Sequence, residues 1–183
     1  MEPAEVEFLA EKEQITIVPN FSENKLYLIS GEFGPFNPSM QTRVPLWLAI
    51  NLRQRQKCHI VPPDWLNVDY LTEKKSEEAA ESFFTAMPSP NYMEVSSLVL
   101  NNAAEDVPKA DEVRTLVKDI WDLRQAKLKK GVDQMISQQE TFAKLDNLTL
   151  MEMNCIRPFL TAALDHLHLL HNHATSYTSS QAD

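Results

Sequence analysis

The stretch VPLWLAINLRQRQKCHIVPPDWL, Val44–Leu66, decides how this chain is organised. Pro45 suits the first position of a helix, where its missing N–H has no bond to lose. Leu46 to Leu52 is apolar on nearly every side, which puts this helix inside a small domain and not on its surface. Arg53, Arg55 and Lys57 end it with positive charge, favourable at a helix C-terminus. Cys58–Val61 reads as one strand, and Pro62-Pro63 cannot continue it. A new helix is expected from Asp64-Trp65-Leu66. One domain therefore closes, and another opens, at about residue 61.

Toward the N-terminus, residues 4–12 suit a short acidic helix. Gln14–Pro19, with Ile15, Thr16, Ile17 and Val18, has the composition of a strand. Lys25–Ser30 reads as a second strand punctuated by Asn24 and Gly31, followed by the turn-rich run Gly34-Pro35-Phe36-Asn37-Pro38. Toward the C-terminus the pattern turns helical. Helices are expected at about Asp64–Ser82, Asn91–Asn102, Asp111–Glu140 and Asn154–His171, with Pro88-Ser89-Pro90 and Val107-Pro108 separating the first three. The fold class is α+β, mainly α. A small β-rich domain (1–61) precedes a larger helical domain (62–173) with one long amphipathic helix, and a flexible tail (174–183) follows.

Composition narrows the function. The chain has 183 residues, 43% of them hydrophobic, enough for a real core. A net charge of −9 disfavours a general nucleic-acid binder, because phosphate affinity needs a clustered surplus of cations. Gly31, Gly34 and Gly131 are the only glycines. Phosphate cradles need several close together so that backbone N–H groups can reach the ligand, which argues against a dinucleotide or P-loop site. The acidic start lacks the basic region of a secretory signal, and no apolar run approaches the roughly 20 residues that span a bilayer. Cys58 and Cys155 form no C-x-x-C pair and suit reduced thiols in the cytosol or nucleus.

The remaining candidates for chemistry read as structure. His166, His168, His171 and His173 crowd one helix end without an acidic or cysteine ligand to complete a metal site. Cys155 has no legible base beside it. Glu77-Glu78 and Asp111-Glu112 read as solvated faces or first-turn dipole partners. Thr149-Leu-Met-Glu152 matches a capping box, with Asn154 a competing helix start. Arg53, Arg55 and Lys57 face either acidic protein or DNA. Ser89, in Met-Pro-Ser-Pro, is either a rigid turn or a phosphorylation site. No catalytic residue, cofactor or metal is assigned.

The helix at 111–140 carries the physical argument about function. Val113, Leu116, Val117, Ile120, Leu128 and Met135 fall on one stripe at helical spacing. Such a helix is roughly 45 Å long, whereas a compact domain of about 100 residues is only about 34 Å across. Either the helix overhangs its own domain and part of the stripe is covered by another chain, or Gly131 divides it into two ordinary helices. Arg124 lies on the stripe, flanked by Trp121. It either snorkels over apolar surface or anchors an interface, and if buried it requires a carboxylate partner. The residues expected to face a partner are Val117, Ile120, Trp121, Arg124 and Leu128.

Four segments carry a family resemblance: Val44–Leu66, AEVEFLAEKEQITIVPNF at Ala4–Phe21, PKADEVRTLVKDIWDLRQAKL at Pro108–Leu128, and KLDNLTLMEMN at Lys144–Asn154. In order, and over about residues 4 to 170, they resemble the GINS family of replicative-helicase subunits. The resemblance implies a β-rich "B" domain followed by a helical "A" domain. It also implies a nuclear, non-catalytic scaffold in a four-chain complex with subunits of the Sld-five, Psf-one and Psf-three types. That complex would bridge the Cdc-forty-five protein and the hexameric minichromosome maintenance motor; the chain's own charge and hydropathy disfavour direct DNA contact and a membrane span. A stand-alone helical adaptor unrelated to replication is the alternative, and a small hydrolase with an unrecognised site is a third reading. Solubility alone, as against dependence on sister chains, separates them.

Overall fold

The chain opens with α1, Pro3–Ala10, whose Glu5 carboxylate accepts the Glu2 amide at 2.9 Å. Strand β1, Gln14–Pro19, follows and buries Ile15, Ile17 and Pro19 on one face. In the computed structural model, which describes residues 2–138, 146–162 and 165, β1 is the centre of a three-stranded antiparallel sheet. Its neighbours are β4, Thr42–Pro45, and β5, Cys58–Val61. Ile15 stands opposite Val44, and Ile17 opposite Ile60.

The expected strand at Lys25–Ser30 is instead a hairpin. β2, Leu26–Leu28, turns at Ile29-Ser30 and returns as β3, Gly31–Phe33. Gly31 permits the reversal: its φ of +138° lies where side chains other than hydrogen are strained. At Gly34, an added Cβ would stand 2.6 Å from the Asn24 carbonyl oxygen. That close approach explains a second glycine three residues on.

Pro45 is not in the first turn of its helix. It ends the edge strand β4, where a missing donor costs no ladder bond, and serves as N-cap of α2, Leu46–Gln54. The free amides at the start of α2 are taken by main chain from the α1–β1 connection: Leu46 N–H donates to the Glu13 carbonyl at 2.9 Å and Trp47 N–H to that of Glu11 at 3.1 Å. Leu46, Leu48, Ala49 and Ile50 are buried, as an apolar helix inside the fold requires.

Helix α3, Val68–Ala80, starts later than the sequence suggests. Asp64–Leu66 forms a turn, and Asn67 caps the helix through its Oδ1, which accepts the Tyr70 amide at 2.8 Å. Helix α4, Tyr92–Asn102, is followed by a 3₁₀ turn at Ala104–Asp106. Helix α5, Ala110–Gln138, is 29 residues long and runs unbroken through Gly131, so it extends roughly 44 Å. Among the described residues a further helix, α6, covers residues 150–162. It begins four residues before Asn154, because the Thr149–Glu152 capping box forms: Thr149 N–H donates to Glu152 Oε2 at 2.8 Å. The molecule is thus α+β and mainly helical.

The buried stripe of α5 is Val113, Val117, Ile120, Arg124, Leu128 and Val132. Leu116 is half-buried, and the Met135 side chain lies outside the described residues. The apolar members divide into two groups. Val113, Val117 and Ile120 join a core that runs without a break from Ile15 and Ile17 of the sheet, through α2, to Val95 and Val99 of α4. Leu128 and Val132 form a separate cluster with Ile156 of α6, bordered by Phe84, Leu148 and Leu160. The described part of the stripe is therefore covered from within this chain.

Gly131 is exposed, and a Cβ there would meet nothing within 4 Å. Gly131→Ala should therefore raise stability by about 0.5–1 kcal/mol, because alanine loses less backbone freedom in a helix. Urea denaturation followed by circular dichroism checks this, with the midpoint moving up and the slope unchanged.

Candidate functional site

Between the two apolar clusters of α5 lies one charged layer. The Arg124 guanidinium is 0% exposed, as are Glu78 of α3 and Glu152 of α6. All five of its N–H donors are used. Nε donates to Glu152 Oε1 at 2.6 Å and Nη2 to Glu152 Oε2 at 2.9 Å, a two-pronged pair. Nη1 donates to Glu78 Oε2 at 3.1 Å and to the Thr85 carbonyl at 3.0 Å. Nη2 also reaches the Asn147 carbonyl at 2.7 Å. The Phe84 ring covers the guanidinium, 5.1 Å from its centroid.

Lys127, one turn along α5, donates to Glu78 Oε1 at 2.8 Å and to the Phe83 carbonyl at 3.1 Å. Two cations face two carboxylates, so the layer is neutral. Burial alone would raise the Glu78 carboxyl, but hydrogen bonds from Lys127 and Thr85, with the Arg124 charge, hold it below its ordinary value of 4.5. Burial disfavours the charged form of Arg124, and Glu152 more than offsets this. A depressed carboxyl stabilises the fold above its unfolded value, and that contribution is lost as pH falls through the folded one.

These contacts place the residues expected at an interface. Val117, Ile120, Arg124 and Leu128 are enclosed by this chain, and Trp121 alone is partly exposed. The carboxylates that a buried Arg124 demands are present, but they come from the same chain. The reading of Glu77-Glu78 as a solvated pair fails at Glu78, while Glu77 is exposed and pairs with Lys74 at 2.7 Å. Arg53 faces acidic protein: its Nη2 lies 3.0 Å from Glu105 and its Nε 2.9 Å from Asp106. Arg55 and Lys57 are exposed.

Neither thiol is activated. Burial pushes Cys58 up to about 11, and burial with the nearby Glu152 charge raises exposed Cys155. Among the described residues no His, Cys, Asp and Glu cluster could hold a metal, and no helix is long and apolar enough to cross a membrane. The histidines at 166–173 lie outside the described residues.

Glu94, in the first turn of α4, is the exception to the pairing. It is 5% exposed, and neither carboxylate oxygen finds a partner. Burial raises its carboxyl above the ordinary value, and Glu152, Glu13 and Glu7 add to this.

Two tests follow from these opposite cases. Arg124→Ala leaves Glu78 and Glu152 buried without their cation and should cost about 3–5 kcal/mol of stability, read from denaturation of the single chain. Glu94→Gln removes a carboxyl whose charged form the fold disfavours. Its penalty is absent below pH 4.5 and grows as pH rises toward the folded value. The variant should therefore melt higher than wild type at pH 7 and at the same temperature near pH 4.

The fold is a small β-rich part followed by a helical part, built on one long helix around a buried charged layer whose partners all come from this chain. Two family models match the chain: the PSF2 N-terminal domain over residues 2–61 and the GINS complex protein helical bundle domain over residues 65–171. It is 56% identical over 182 residues to the "DNA replication complex GINS protein PSF2" of Homo sapiens, covering 100% of this chain and 98% of the relative. It is 59% identical over 170 residues to the protein of that name from Xenopus laevis (93% and 92%). The fission yeast relative, from Schizosaccharomyces pombe, is 35% identical over 165 residues (90% and 88%). The chain belongs to the GINS family of DNA replication proteins, in its PSF2 branch.

Proposed function

We propose that this chain is a non-catalytic structural subunit of a nuclear four-chain GINS complex, together with subunits of the Sld-five, Psf-one and Psf-three types. The complex joins the Cdc-forty-five protein to the minichromosome maintenance hexamer, and the motor supplies the ATP chemistry. The chain divides at about residue 61 into a β-rich part that latches onto the motor and a helical part that packs with sister subunits. The observation that carries this reading is the neutral, fully hydrogen-bonded layer around Arg124. It spends the polar groups of the helical part on holding α3, α5 and α6 together.

Within the interface set, Trp121 is the direct contact. Val117, Ile120, Arg124 and Leu128 act from inside by fixing the orientation of α5. Tagged chain recovered from nuclear extract should bring down the sister subunits in equal amounts. Trp121→Ala should reduce that recovery about tenfold, as a loss of about 1.4 kcal/mol at a binding hot spot gives, while its melting temperature falls less than that of Arg124→Ala because Trp121 packs only partly against the core. Lys130→Glu, on the exposed face, serves as the control. Equal recovery of sister subunits in all three proteins would remove Trp121 from the interface. A tagged chain recovered alone and monodisperse would favour the adaptor reading.

A further inference from the structure

Ser89 stands between Pro88 and Pro90, in a stretch, residues 81–91, that forms neither helix nor strand. Its hydroxyl lies 3.1 Å from each carboxylate oxygen of Glu13, to which it donates across 76 positions of sequence. Ser89 Oγ accepts the Asn91 amide at 3.1 Å, and Asn91 Nδ2 donates to Glu13 Oε2 at 3.4 Å. Glu13 is itself fixed, since its carbonyl accepts the Leu46 amide that starts α2. Ser89 is 3% exposed.

This is a polar clasp between the β-rich and helical parts. Another centres on Asp106, which pairs with Arg53 and His59 and accepts the Ile60 amide at 2.9 Å. The second is rich in cations, whereas the first is closed by a hydroxyl on a carboxylate.

We propose that Ser89 is a phosphate acceptor for a proline-directed serine kinase, and that the phosphate opens the Glu13 clasp between the two parts of the chain. Pro90 supplies the residue that such a kinase reads. Ser89 lies outside every helix and strand, its carbonyl accepting the Tyr92 amide at 3.3 Å at the start of α4, so local opening can present the hydroxyl while the elements stay folded. MgATP is the donor. The Oγ–P bond forms as the bond to the β-phosphate oxygen breaks, ADP leaves, and the hydroxyl proton passes to the kinase's catalytic carboxylate.

The product does not fit back. A phosphoserine carries nearly two negative charges and has no hydroxyl to donate. It would meet the Glu13 carboxylate at hydrogen-bond distance, with the buried Glu94 five residues along. The start of α4 offers only about half a positive charge in return. Repulsion therefore outweighs the dipole, and the clasp stays open.

The test uses the full chain, a proline-directed kinase and MgATP, with the site read by mass spectrometry. Wild type should be labelled at Ser89. Glu13→Ala should be labelled about tenfold faster, the shift in open population expected from losing one charge-assisted hydrogen bond. The phosphorylated chain should melt below wild type and be cut faster by protease within residues 81–91. Ser89→Ala loses the clasp without gaining charge and should fall between them. Absence of label from folded Glu13→Ala would overturn the proposal. So would a phosphorylated chain whose melting and proteolysis match those of Ser89→Ala.

Discussion

The helical part depends on one requirement: a guanidinium placed in a dry interior must have every donor met and its charge balanced. An unpaired buried charge costs several kcal/mol or more, so such a group either neutralises or recruits partners. Arg124 recruits four residues: Glu78 on α3, Thr85 and Asn147 through their carbonyls, and Glu152 at the start of α6. The segments on either side of α5 are positioned by the same atom group. The apolar clusters supply most of the burial, but greasy contacts tolerate sliding. The charged layer has one arrangement that satisfies it.

The N-terminal part is attached differently. Its sheet and α2 share a continuous apolar core with α4 and the first half of α5. Edge contacts then set direction: Arg53, His59 and Ile60 converge on Asp106, and Gln54 Nε2 donates to Asn102 Oδ1 at 2.8 Å. A shared core with polar clasps at its rim fixes the relative placement of two parts that are separate in the sequence pattern.

Much of this was legible in the sequence. β1 and β5 follow from their β-branched residues, and the length of α5 from its stripe. The Thr149–Glu152 box was legible as a candidate start, though the helix was expected from Asn154. The shortfalls have physical causes. β4 is four residues long with an exposed Arg43, too short for alternation to show, and the β2–β3 hairpin hides inside one apolar run because its turn falls on Ile29-Ser30. Glu78 looked solvated because its partners stand 46 and 49 positions away. No local pattern encodes such a distance. For the same reason, a stripe on α5 shows in the sequence that something covers it, not which chain does.

The unbroken path of α5 through Arg124 has a further consequence, for the kinds of change this chain can absorb. Each residue turns a helix by about 100°. Inserting or deleting one residue in α5 before Arg124 would swing the guanidinium out of its layer, or, if the layer held, rotate the opposite end of the helix by the same angle. Length changes in the β2–β3 turn would disturb nothing comparable. Descendants of this chain should therefore vary freely in loop length while α5 keeps a constant residue count up to Arg124. The helix works as a keyed shaft, and its angular setting is inherited as a number of residues.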